Sequence, residues 1–136
     1  MTDVRGQAPP AELRLLLRPA VGAARAAREL VTEACARGEL APLAGAACTV
    51  VTELVNNAVV HARTPLELVI GLRADGLDIA VHDGSAQLPQ PRQPVAPAAP
   101  GGRGMVMVAA LATRWGADPR PGGKVVWATL DAAEPA

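Results

Sequence analysis

Glu53-Leu54-Val55-Asn56-Asn57-Ala58-Val59-Val60-His61-Ala62 decides the fold of this chain. The stretch reads as a buried helix, yet a carboxylate and a carboxamide stand four positions apart in it. Residues four apart share a helix face, so Glu53 and Asn57 project together while Leu54, Val55, Ala58 and Val59 pack elsewhere. An acid and an amide stacked this way can hold a hydrated divalent cation, or position a water or a hydroxyl. The ordinary fate of such a pair is a solvated helix face. Apolar neighbours on nearly every other side argue for a pocket wall instead.

Upstream, Pro42 opens this helix. Pro19 fits the first position of an earlier helix that runs to Arg37 and stops at Gly38. Val21, Ala24, Arg28, Val31, Ala34 and Cys35 mark its mostly apolar stripe. Glu12 to Leu17 reads as a first strand. Downstream, Leu66, Leu68, Ile70 and Leu72 alternate with Glu67, Val69, Gly71 and Arg73, a period of two. Asp75-Gly76 supplies a hairpin turn, and Leu77, Ile79 and Val81 resume the alternation. Asp83 shares their parity, which places its carboxylate on the buried face. An unpaired charge there is costly. Asp83 therefore either caps the turn at the strand end or waits on a pocket floor for a ligand donor.

Pro89, Pro91, Pro94, Pro97 and Pro100 keep the next segment out of any helix or sheet interior. It is a lid or a linker, and its place between Asp83 and a glycine-rich turn favours a lid. That turn, Gly101-Gly102-Arg103-Gly104, lets backbone N–H groups approach an anion at a helix start. Alone it reads equally well as a hinge before a core helix. Met105, Val108, Leu111, Ala112 and Trp115 follow at helical spacing, and Gly116 stops the helix. Pro121-Gly122-Gly123 turns the chain into a last strand, Lys124 to Leu130. The expected fold class is α+β: a two-layer sandwich with helices on one face of a mixed, mostly antiparallel sheet.

A chain of 136 residues has single-domain length, and its half-apolar composition excludes disorder over most of it. There is no Phe and no Tyr, and Trp115 and Trp127 are the only aromatic residues, so no base-stacking platform exists. Formal net charge is zero and Lys124 is the only lysine, which argues against direct nucleic-acid binding through a basic face. Cys35 and Cys48 read as small core residues of a reducing compartment. Together with His61 and His82 they match no zinc spacing. No signal sequence and no run of transmembrane length is expected, so the protein reads as cytoplasmic, without membrane contact.

Four segments carry a family resemblance: Glu53 to Ala62, Val81-His82-Asp83-Gly84-Ser85, Gly101 to Val108, and Ala112 to Gly116. In order and spacing they resemble the boxes of the GHKL (histidine-kinase-like) ATPase superfamily, with the ATP-binding Bergerat fold. The most similar members are the small ATP-binding anti-sigma-factor serine kinases of Gram-positive and actinobacterial type. The resemblance spans roughly Leu13 to Leu130. It implies a flexible tail over 1–11, an ATP-binding domain over 12–131 with a proline-rich lid over 84–101, and a C-terminal tail over 132–136.

The resemblance also implies roles. Glu53 is the general base that receives the acceptor serine's proton. Asn57 coordinates Mg²⁺, and Asn56 lines the pocket. Asp83 accepts a hydrogen bond from the adenine amino group, with Ser85 beside it. Gly102, Arg103 and Gly104 cradle the phosphates. The cofactors implied are ATP and Mg²⁺, and the partners are a sigma factor and a STAS-type anti-anti-sigma protein, with a homodimer as a further option. The chain departs from the family pattern at Ser85, Gln87 and Val106, where glycines are usual, and at Val125, where threonine is common. Two other readings stand beside the kinase: a catalytically degenerate interaction module of the same fold, and a detached histidine-kinase catalytic domain. The latter is disfavoured because no helix with a phosphorylatable histidine precedes the first strand.

Overall fold

Period-two alternation builds the sheet and helical spacing covers it. In chain order the elements are β1 (Glu12–Leu17), α1 (Ala23–Arg37), a 3₁₀ turn (Ala41–Leu43), α2 (Ala44–His61), β2 (Leu66–Arg73), β3 (Gly76–Asp83), α3 (Gly102–Leu111), β4 (Arg114–Arg120) and β5 (Gly123–Asp131). This computed structural model describes residues 11–85 and 102–132, the side chains of 102–104 aside. The lid expected over 84–101 and the two tails therefore fall almost wholly outside the described residues.

The sheet order is β1-β2-β3-β5-β4, and all four ladders are antiparallel. Register aligns the apolar parities: Leu68 faces Val81, Ile70 faces Ile79, and Ile79 faces Ala128 across the three central strands. With Leu66, Leu77, Val126 and Leu130 they form one buried face. The helices lie on that face. α2 contacts α1, α3, β3 and β5, which makes it the centre of the helical layer. By length and hydropathy the span 41–61 is the one described stretch apolar enough to cross a membrane. Its apolar residues Ala47, Val50, Val51, Leu54, Val55 and Ala58 are instead buried against the sheet and the neighbouring helices.

Several elements differ from their sequence expectation. α1 begins at Ala23, not at Pro19, because residues 19–22 form a turn in which the Ala23 N–H donates to the Ala20 carbonyl. Val21 is consequently fully exposed, and the buried stripe is Ala23, Ala27, Val31, Ala34 and Cys35. Pro42 opens a 3₁₀ turn that leads into α2. The β2–β3 hairpin turns on Ala74 and Asp75, since Arg73 pairs with Gly76. Gly76 is needed for close approach: a Cβ there would lie 2.3 Å from the Leu130 carbonyl oxygen.

The largest correction concerns Trp115. The helix ends at Leu111, and Trp115 lies on edge strand β4 opposite Ala128. Two hydrogen bonds pin the switch: Thr113 N–H donates to the Thr129 carbonyl at 2.7 Å, and Asp131 N–H donates to Thr113 Oγ1 at 3.0 Å. Gly116 does not stop a helix; a side chain there would strike Trp127, with a Cβ 2.7 Å from the indole Cζ2.

The opposite sheet face is polar and cross-linked. Arg73 binds Asp75, Asp78 and Asp131, and the hydrogen bonds it donates to Asp78 and then Asp131 hold its guanidinium above its ordinary pKa. Trp127 Nε1 donates to Asp118 at 3.1 Å on this face.

Candidate nucleotide site

α2 carries the first part of the site. Asn57 is buried and Glu53 half-buried, one turn apart on the same helix, while Asn56 is exposed. The expected pairing of Glu53 and Asn57 on one face thus holds, and Asn56 faces solvent. Neither the Glu53 carboxylate nor the Asn57 carboxamide has a hydrogen-bond partner among the described residues.

Strands β3 and β5 carry the second part. Asp83 ends β3 on the core-facing side, as its parity requires, and is only 9% exposed. Directly across the ladder stands Lys124. Lys124 Nζ lies 3.0 Å from each Asp83 oxygen, and the two side chains are 0% and 1% exposed. Only the Oδ1 contact has hydrogen-bond geometry. The Ser85 N–H also donates to Oδ1, at 2.8 Å. Oδ2 is buried and accepts no hydrogen bond. The neighbouring Gly84 N–H donates to Thr64 Oγ1 at 2.8 Å, which ties the strand end to the α2–β2 connection. Gly123 lets the strands close here, since a Cβ on it would lie 1.8 Å from the Asp83 carbonyl oxygen.

Sequence reasoning missed Lys124 and Thr64. The signal for Lys124 was present. It is the only lysine in the chain, and it is in phase with Val126, Ala128 and Leu130, the buried face of its strand. Thr64 had no comparable signal, because its contact depends on where a loop crosses the strand end.

α3 carries the third part. Gly102 to Gly104 form its first turn, and Met105 and Val108 bury the helix against the core. Two of the sequence departures lie on α3 and β5. Val106 is exposed on α3. Val125 lies one residue from Lys124 and therefore projects to the opposite sheet face, paired with His82.

α2 packs on both β3 and β5 and lies beside α3, so all three parts belong to the same helix–sheet layer. An open cleft of about 500 Å³ lies elsewhere, between α1 and α2, lined by Arg25, Arg28, Glu29, Thr32 and Cys48. It contains none of the expected site residues.

Among the described residues no three His, Cys, Asp or Glu side chains cluster as a metal site. Cys35 and Cys48 are free thiols. Burial first, and then the neighbouring Cys48, push the Cys35 thiol up. Cys35 is therefore a packing residue with little thiolate character.

Residues 17–130 match the family model described as the histidine kinase-like ATPase domain. The chain belongs to that family. No curated protein matches it. Among solved structures it is similar to the crystal structure of the RsbU and RsbW domains of Rv1364c from Mycobacterium tuberculosis, at TM-score 0.65 and 20% identity. That match covers 95% of this chain and 34% of the other, so the chain spans about a third of that protein's length. At this identity the likeness is one of fold.

Proposed function

We propose that this protein binds ATP between the α2 face and the Asp83 end of the sheet, and acts as a serine protein kinase and anti-sigma factor. One observation carries the reading: a carboxylate buried under the helical layer has an oxygen that accepts no hydrogen bond. The Lys124 ammonium lies 3.0 Å from that oxygen without hydrogen-bond geometry, and in this reading an exocyclic amine supplies the hydrogen-bond donor. The family match to residues 17–130 and the fold it shares with a structure containing an RsbW domain support the same reading.

In this reading Asp83 anchors the adenine, with Ser85 beside it. Asn57 holds Mg²⁺, Asn56 lines the entrance, and Gly102, Arg103 and Gly104 receive the phosphates. Bound ATP supplies a transferable phosphoryl group. Glu53 takes the proton of the acceptor serine. Such transfer depends mainly on positioning and charge neutralisation. The acceptor is a STAS-type anti-anti-sigma protein and the sequestered partner a sigma factor. The domain runs over 12–131, in the cytoplasm.

A second reading, a partner-binding module that uses no nucleotide, is favoured by Lys124, which already neutralises Asp83. Thermal unfolding separates the two. Ligand at a hundred times its Kd adds about 2.7 kcal/mol of stability, which raises Tm by several degrees for a domain of this size. A rise of that order at millimolar Mg-ATP is expected. An unchanged Tm leaves the interaction module.

A further inference from the structure

Resting on that nucleotide reading, we propose that Thr64 is a positioning residue: it sets the spacing between the Asn57 end of α2 and the Asp83 end of β3, so that one nucleotide meets both at once. α2 ends at His61, and the Ala62 and Arg63 N–H groups both donate to the Ala58 carbonyl, at 2.8 and 3.3 Å. Ala58 is the neighbour of Asn57 in the helix. Arg63 then takes a φ of 58°, a left-handed turn that residues with a side chain seldom adopt. Thr64 follows and meets the strand end. There the Gly84 N–H donates to Thr64 Oγ1 at 2.8 Å, while the hydroxyl itself donates to the Pro65 carbonyl at 3.3 Å. With its proton on Pro65, the hydroxyl oxygen serves Gly84 as an acceptor.

The space between loop and strand is filled. A Cβ on Gly84 would lie 3.2 Å from Thr64 Cγ2 and 3.3 Å from its Cβ and Oγ1. The strand end itself is held separately, by the ladder to Lys124 and by the close approach of Gly123 to the Asp83 carbonyl. Apart from Asn57, the buried residues of α2 are apolar. Apolar packing is non-directional and fixes no exact spacing, whereas a hydrogen bond has a preferred length and angle. Spacing matters because a ligand held at two points gains from the second only where both can be engaged together. A misplacement of about 1 Å costs up to about 10²-fold in such an arrangement.

NMR amide titration of the full chain with adenosine and with Mg-ADP, which reads Kd values into the millimolar range, tests this. The unaltered protein is expected to bind Mg-ADP at least about tenfold more tightly than adenosine, the gain from engaging the second half of the site. In Thr64→Val that gain is expected to fall towards one. Adenosine affinity should stay within about threefold, because the ladder still holds Asp83. The exposed Gly84 N–H then bonds to water, so the fold is expected to hold. Thr64→Ser, which keeps the hydroxyl, is expected to retain most of the gain. A purely structural role would weaken both ligands equally and leave the gain alone. If Thr64→Val fails to fold, Gly84→Ala replaces it. Its methyl group presses on Thr64 and is expected to lower the gain in the same way. A folded variant with the original gain, or an unaltered protein that binds adenosine as tightly as Mg-ADP, overturns the role of Thr64 alone. An unaltered protein that binds neither ligand overturns the nucleotide reading as well.

Discussion

Asp83→Ala is expected to lower stability by about 3–5 kcal/mol, the cost of stranding a buried charge. The reason lies in Lys124. Its ammonium has no solvent exposure, and its ion pair is with Asp83 at 3.0 Å. Deleting the carboxylate leaves a cation in the core with its partner gone. Total stabilities of single domains run to about 5–15 kcal/mol, so the loss is a large fraction of the whole. A cavity effect alone is smaller, since the change removes only one carboxyl group. The two causes separate in a double-mutant cycle. Asp83→Ala/Lys124→Met removes both charges and is expected to recover at least about 2 kcal/mol of the single-variant loss. Urea denaturation measures each corner. A single variant within about 1 kcal/mol of the unaltered protein would show that the buried pair contributes no more than an exposed one.

Glu53→Ala is expected to behave oppositely: little change in stability, large loss of activity. Glu53 is half-buried and makes no ion pair among the described residues, so its removal should cost no more than about 0.5 kcal/mol. ATP affinity should stay within about threefold. General-base catalysis contributes about 10²–10⁴ in rate, or about 3–5 kcal/mol of barrier. The lower end applies here, because phosphoryl transfer proceeds through a loose transition state in which the acceptor loses its proton late. A fall of about 10²-fold in phosphate release from γ-labelled ATP, or in labelling of the acceptor protein, is the expected result. Undiminished release or labelling by the folded variant would remove Glu53 from that role.

Much of the frame was legible because strong periodicity leaves one reading. β1 runs Glu12 to Leu17 as expected, and Asp83 sits on the buried face its parity demands. What escaped was decided by tertiary contacts. Trp115 fits a helical stripe as well as a strand, and only the Thr113–Thr129 and Thr113–Asp131 hydrogen bonds select the strand. Val21 fits an apolar stripe until the turn over 19–22 delays the helix past it. Gly76 resembles a turn glycine, yet its requirement is the Leu130 carbonyl across the sheet. At the site, Glu53, Asn57 and Asp83 were legible as chemistry out of place in apolar surroundings. Lys124 was passed over because lysine is rarely buried, and burying it takes a carboxylate directly opposite.

The NMR amide spectrum of the chain, titrated with Mg-ADP, tests most directly whether the three separated segments form one nucleotide site. Saturable shifts with a single Kd are expected at Asn57, Asp83, Ser85 and residues 102–104. Shifts confined to Arg25, Arg28, Thr32 and Cys48 in the α1–α2 cleft, or none at all, would contradict it.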